Sequence, residues 1–92
     1  MNKEREQQIV RIVVAEDEAL IRMDLVEMLG EAGYLVVAQA SDGAEAISLV
    51  AEYKPDLAIL DVKMPILDGI TAAEEIIATC PVLMLTAFSQ RE

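Results

Sequence analysis

Four short apolar runs, at residues 9–15, 34–40, 57–60 and 81–85, divide the chain so that each gap between them holds one helix and little else. Runs this short, rich in Val, Ile and Leu and stopped by acids, glycine or proline, read as strands. Only Arg11 interrupts the first run, and Leu57 to Leu60 is wholly apolar. Strands without polar alternation suit a sheet buried on both faces, which is the parallel arrangement covered by helices.

The gaps carry helical periodicity. Leu20, Ile21, Leu25, Met28, Leu29 and Ala32 recur on one side of the first, with Arg22, Asp24, Glu27 and Glu31 on the other. Gly33 then stands where a positive φ closes a helix. Asp42 and Glu45 form a capping-box-like start for a second helix that turns Ala46, Ile47, Val50 and Tyr53 inward and ends at Pro55. Asp68 is a candidate cap for a third, with Ile70, Ala73, Ile76 and Ile77 facing the core. Strands alternating with helices, joined by right-handed crossovers, predict an α/β three-layer αβα sandwich around a parallel sheet. The 92 residues allow one domain, 1–92, with one core; at 54% hydrophobic but 3% aromatic, that core is aliphatic.

Composition narrows the partners. A formal charge of -10 opposes direct binding of nucleic acid or anionic lipid by this segment. Cys80 is the sole cysteine and histidine is absent, which excludes an internal disulfide and a Cys/His zinc site. No run reaches the roughly 18 apolar residues of a membrane span, and residues 1–8 are polar, so a cytoplasmic setting is expected.

Ligands of parallel α/β sheets sit beyond the carboxyl ends of the strands, where the strand order reverses. The first strand runs into Glu16-Asp17 and the third into Asp61. If these strands are neighbours, three carboxylates meet at one rim. Two of them about 4 Å apart repel by roughly 4 kcal/mol at an effective dielectric near 20. Proton sharing relieves this, and so does a hard divalent cation, Mg2+ or alternatively Mn2+, which suits an all-oxygen set. Asp17 also reads as a helix cap, and Glu16 and Glu18 as acids favoured by a helix dipole. Asp61 has no such plain role, because it closes a strand expected to be buried on both sides.

Glu16-Asp17, the segment Asp61-Val62-Lys63-Met64-Pro65 with Asp68-Gly69, and Leu85-Thr86-Ala87 together resemble the response-regulator receiver domain of two-component signalling. The resemblance implies a flavodoxin-like fold with strand order 2-1-3-4. It also implies that Asp61 takes a phosphoryl group from a sensor histidine kinase. Glu16, Asp17, Asp61 and the Lys63 backbone carbonyl would hold Mg2+, Thr86 and Ala87 would form the switch, and Met64, Pro65 and Gly69 would shape the loop. Lys63 and Phe88 fall where family members vary and dephosphorylation is tuned. Residues 16–25 and 83–91 further resemble receivers of ANTAR-type antitermination regulators, whose RNA-binding domain follows the receiver.

The family's sheet runs 2-1-3-4-5. The fifth strand with its lysine, and the last helices, have no counterpart here. A fragment of a longer regulator is therefore expected, or self-association through an uncovered sheet edge and face. The chain reads as a signalling domain, not an enzyme. Its alternatives are a phosphorylation-independent interaction module of the same fold and an aspartate-nucleophile phosphohydrolase; the latter wants an acid where Lys63 stands.

Overall fold

A computed structural model describes residues 8–85. The elements alternate as expected: β1 (Arg11–Ala15), α1 (Ala19–Glu31), β2 (Leu35–Ala40), α2 (Gly43–Tyr53), β3 (Leu57–Asp61), α3 (Gly69–Ile76) and β4 (Val82–Leu85). The four strands form one parallel sheet in the order β2-β1-β3-β4. The chain reverses direction of travel between β1 and β3, so this pair is the switch point where such sheets place their ligands.

Alternate side chains of the strands feed two cores. On one face Val13, Ala15, Ala58 and Leu60 pack with Ala46 and Val50 of α2 and Ala72 and Ile76 of α3. On the other, Ile12, Val14 and Ile59 are buried, with Leu25 and Leu29 of α1 packed against them. Burying the valines, leucines and isoleucines among them contributes on the order of 1.5–3 kcal/mol each, enough to fix strand register. Cys80 joins the first core as a free, buried thiol, and that burial pushes its pKa up and keeps it neutral.

Local signals set the helix ends. The Gly30 and Leu29 carbonyls accept from the N–H groups of Gly33 and Tyr34, at 3.1 and 3.0 Å, and Gly33 has φ 98°. This is the closing pattern that needs a left-handed residue after the helix. Asp42 accepts from the Glu45 N–H at 2.8 Å, and Asp68 from the Thr71 N–H at 2.8 Å. Glu45 reaches back to the N–H of Ser41 at 2.9 Å, one residue before the cap, so the box is offset. Lys54 ends α2 in the left-handed region at φ 47°, because the following Pro55 disfavours continuation of the helix.

Two expected helix faces are corrected. Leu20, Ile21 and Met28 of α1 are exposed, and no residue of that helix is fully buried. The helix lies over β1 and β2, so only its Leu25–Leu29 edge meets the sheet. In α3, Ile70 and Ile77 are exposed while Gly69, Ala72 and Ile76 are buried. The small pair at 69 and 72 lets the helix approach β3 closely, and that rotates both isoleucines outward. Tyr53, expected inside, is also exposed. Among the described residues no helix is long and apolar enough to cross a membrane.

Candidate functional site

Strand register brings the acids together. Ala15 pairs with Leu60 across β1 and β3, so Glu16 and Asp61, each next in line, leave the sheet side by side. The backbone stays hydrogen-bonded at Glu16 and just after Asp61. The Glu16 N–H donates to the Ala40 carbonyl at 3.0 Å, and the Val62 N–H to that of Leu85 at 3.1 Å. Carboxylate oxygens of Glu16, Asp17 and Asp61 all lie within 4.8 Å of one another. Glu16 and Asp61 are each only 4% exposed, whereas Asp17 faces solvent. The site is thus a buried floor of two acids with a third at its open edge.

The capping explanation of these acids does not survive. The cap position of α1 falls on Glu18 rather than Asp17, and no side chain caps it. The Glu16 carboxylate instead accepts from the Glu18 N–H at 3.0 Å. That bond favours its charged form, but burial and the neighbouring Asp61 and Asp17 outweigh it and push its pKa from about 4.5 up to about 7.

This shift makes metal-free stability depend on pH. A carboxylate whose pKa is raised on folding stabilises the native state while protonated, so its contribution is full below about 4.5 and is lost as pH rises through about 7. The loss is about 3.5 kcal/mol at most, at about 1.4 kcal/mol per pKa unit. Asp68 is shifted down by the Thr71 N–H and hydroxyl, so its contribution vanishes only in stronger acid. Denaturant titrations without divalent metal should therefore show stability falling between pH 5 and 7.5, and a flat profile would remove Glu16 from the site's electrostatics.

The segment after Asp61 holds the end of β3 in place. Met64 is buried in the larger core and anchors the loop, and Pro65 accepts from the Leu67 N–H at 2.6 Å around Ile66, whose φ is 68°. Such a φ is costly for a β-branched residue. Gly69 donates to the Val62 carbonyl at 2.9 Å. A Cβ at Gly69 would overlap the Asp61 carbonyl oxygen and lie 2.8 Å from its carbon. The start of α3 is therefore seated directly on the backbone of Asp61. Lys63 is exposed, and Thr86 and Ala87 lie outside the described residues.

Residues 12–92 match the family model described as the response regulator receiver domain. The chain belongs to this receiver family. It is 60% identical over 84 residues to the transcriptional regulatory protein PdtaR of Mycobacterium tuberculosis, a match that covers 89% of this chain and 41% of that protein. It is 39% identical to the chemotaxis protein CheY of Bacillus subtilis, over 88% of this chain and 70% of CheY. The response regulator domain of Thermotoga maritima CheB superposes with a TM-score of 0.83 at 32% identity, covering 91% of this chain and 65% of that one. The likeness to PdtaR agrees with the sequence resemblance to receivers of antitermination regulators. Receivers as a class accept phosphate on an aspartate and bind Mg2+ at an acidic pocket, and this chain has such an acidic cluster.

Two residues at the site escaped the sequence reading. Arg22, assigned to the solvent side of α1, donates from Nη1 to the Glu16 carbonyl at 2.6 Å. Gly43 donates to the Leu67 carbonyl at 2.9 Å, tying the start of α2 to the loop after Asp61. Neither has a signature in hydrophobic periodicity, because each acts on a backbone carbonyl that only the fold brings near.

Proposed function

We propose that Asp61 accepts a phosphoryl group from the phosphohistidine of a sensor histidine kinase, with Mg2+, or alternatively Mn2+, held by Glu16, Asp17, Asp61 and the Lys63 backbone carbonyl. The supporting observation is the meeting of three carboxylates within 4.8 Å, two of them buried, at the strand-order reversal. The set is all oxygen, which suits a hard cation that keeps waters and takes a phosphate oxygen. When bound, the cation would neutralise the carboxylates and the phosphoryl oxygens.

Asp61 supplies the nucleophile. A carboxylate oxygen forms the new P–O bond in line with the breaking P–N bond, whose electron pair leaves on the donor imidazole. The sheet bonds at residues 16 and 62 keep the acids oriented, so little reorganisation is needed. In this reading Thr86 and Ala87 are the switch pair, and Met64, Pro65 and Gly69 fix the loop. The chain acts as a signalling domain, not an enzyme, since the exposed Lys63 stands where a phosphohydrolase wants an acid. Regulation of transcription, through RNA bound outside this segment, is the output favoured by the likeness to PdtaR.

Acetyl phosphate offers a test without the cognate kinase. Intact mass should show one added phosphoryl group in the presence of Mg2+ and none with a chelator. Absence of any Mg2+-dependent adduct or beryllofluoride response would favour a phosphorylation-independent module.

Self-association belongs to the same reading. β4 is an edge of the described sheet and Leu83 on it is half exposed. Ile70, Ala73, Glu74, Ile77, Val82 and Met84 line an open groove of about 330 Å³ beside it. Sedimentation should show the chain's average mass rising with concentration; a monomer throughout would rule the association out.

A further inference from the structure

We propose that Arg22 is a positioning residue for the metal site, holding the Glu16-Asp17 peptide so that both side chains can converge on Asp61. The inference rests on the proposed Mg2+-dependent phosphoacceptor reading and adds a residue to it. Arg22 sits one turn into α1, half-buried, and its Nη1 donates to the Glu16 carbonyl at 2.6 Å, a short charge-assisted bond. Its own N–H donates to the Glu18 carbonyl at 2.9 Å. The side chain therefore reaches back across the corner between β1 and α1, and the residue holds that corner at both ends.

The corner needs such a hold. Residues 16–18 carry three consecutive acids, two of them facing Asp61 across less than 4.8 Å. Their repulsion favours opening of the turn, and the α1 cap residue Glu18 supplies no side-chain bond to resist it. The remaining restraints are the Glu16 N–H bond to Ala40, the Glu18 N–H bond to the Glu16 carboxylate, and Arg22. Among the described residues, only Arg22 holds the carbonyl of the peptide that joins the two acidic residues. A peptide group is planar, so fixing its carbonyl fixes the direction in which the chain enters Asp17.

Two roles for this arginine predict opposite results. If Arg22 matters only as a positive charge near the acids, its removal strengthens Mg2+ binding, because a competing cation has gone. If it positions the turn, its removal weakens binding, as loss of supporting partners around metal ligands does by roughly 10–100-fold. Mg2+ affinity of the chain should be measured by calorimetry for the parent, Arg22→Gln and Arg22→Lys, with circular dichroism to establish folding.

Arg22→Gln is expected to raise the Mg2+ Kd about tenfold or more, within the range for such supporting partners. Arg22→Lys should recover much of the loss, since an ammonium can still donate to the carbonyl. Phosphorylation by acetyl phosphate should return to near the parental rate at saturating Mg2+. An unchanged or lower Kd in Arg22→Gln overturns the proposal, and so does a rate that stays depressed at saturation. If Arg22→Gln fails to fold, Arg22→Met decides, since it keeps an aliphatic stem without a donor: a Kd equal to or below the parent's overturns the proposal. Should the parent chain itself neither bind Mg2+ nor take phosphate, the phosphoacceptor reading fails first, which keeps the two failures distinct.

Discussion

Asp61→Asn is expected to abolish phosphoryl acceptance and, in the same protein, to raise stability without metal at neutral pH. The amide is nearly isosteric but lacks the charged oxygen nucleophile, so the acetyl phosphate adduct should fall below detection. The stability gain comes from the acids that remain. Asp61 is 4% exposed and lies within 4.8 Å of both Glu16 and Asp17. A unit-charge pair at that range repels by about 3 kcal/mol at an effective dielectric near 20, an upper bound here because Glu16 is part protonated near pH 7. A net gain of about 1–2 kcal/mol follows, which for a domain of this size is roughly 5–10 °C in Tm. Sites that hold like charges for chemistry commonly trade stability for function in this way. The Glu16 titration should also move part of the way back toward the ordinary carboxylate range, since burial, the largest cause of its shift, remains, and the pH dependence of the metal-free protein should weaken with it. Thermal melts at pH 7.5 with chelator, beside intact-mass assays with Mg2+, test both halves. A variant that still takes one phosphoryl group would place the acceptor elsewhere, and one less stable than the parent would contradict the repulsion argument.

Much of this architecture was legible because its signals are local. Leu57 to Leu60 announces a strand buried on both faces, and Asp42 and Asp68 announce helix starts that are seen as cap bonds at 2.8 Å. The carboxylate cluster was legible for a different reason. Ligand rims of parallel sheets follow strand order, so placing β1 beside β3 was enough to bring Glu16, Asp17 and Asp61 together. What stayed hidden depends on how closely elements approach. Hydrophobicity ranks Ile70 and Ile77 above Ala72, yet the tight seat of α3 on β3 buries the alanine and turns both isoleucines out. Charge placed Arg22 on the wet side of α1. Helical side chains lean toward the N-terminus, however, and a long one near the first turn reaches the residues ahead of the helix. Its partner is a backbone carbonyl, which periodicity cannot mark.

The seat of α3 on β3 makes a matched pair of glycine substitutions diverge in outcome. Gly69→Ala is expected to destabilise the chain by about 2–4 kcal/mol, at or above the usual cost of overpacking, because the added carbon meets backbone that no rotamer change can clear. That carbon would overlap the Asp61 carbonyl oxygen and stand 2.8 Å from the Asp61 carbon and 3.1 Å from the Val62 Cα. Relief requires either α3 to lift off β3, breaking the 2.9 Å bond from the Gly69 N–H to Val62, or the Asp61 peptide to rotate. Both displace the Asp61 carboxylate from Glu16 and Asp17, and in the proposed phosphoacceptor a shift near 1 Å costs on the order of 100-fold in rate. Gly30→Ala is the contrast. It lies inside α1, nothing beyond its own stretch of helix comes within 4 Å of the added carbon among the described residues, and alanine is favoured there by about 0.5–1 kcal/mol. Urea unfolding should show the two variants moving apart, and only Gly69→Ala should slow phosphorylation by acetyl phosphate at saturating Mg2+. Equal rates in the two would mean that the acceptor's position does not depend on how α3 is seated.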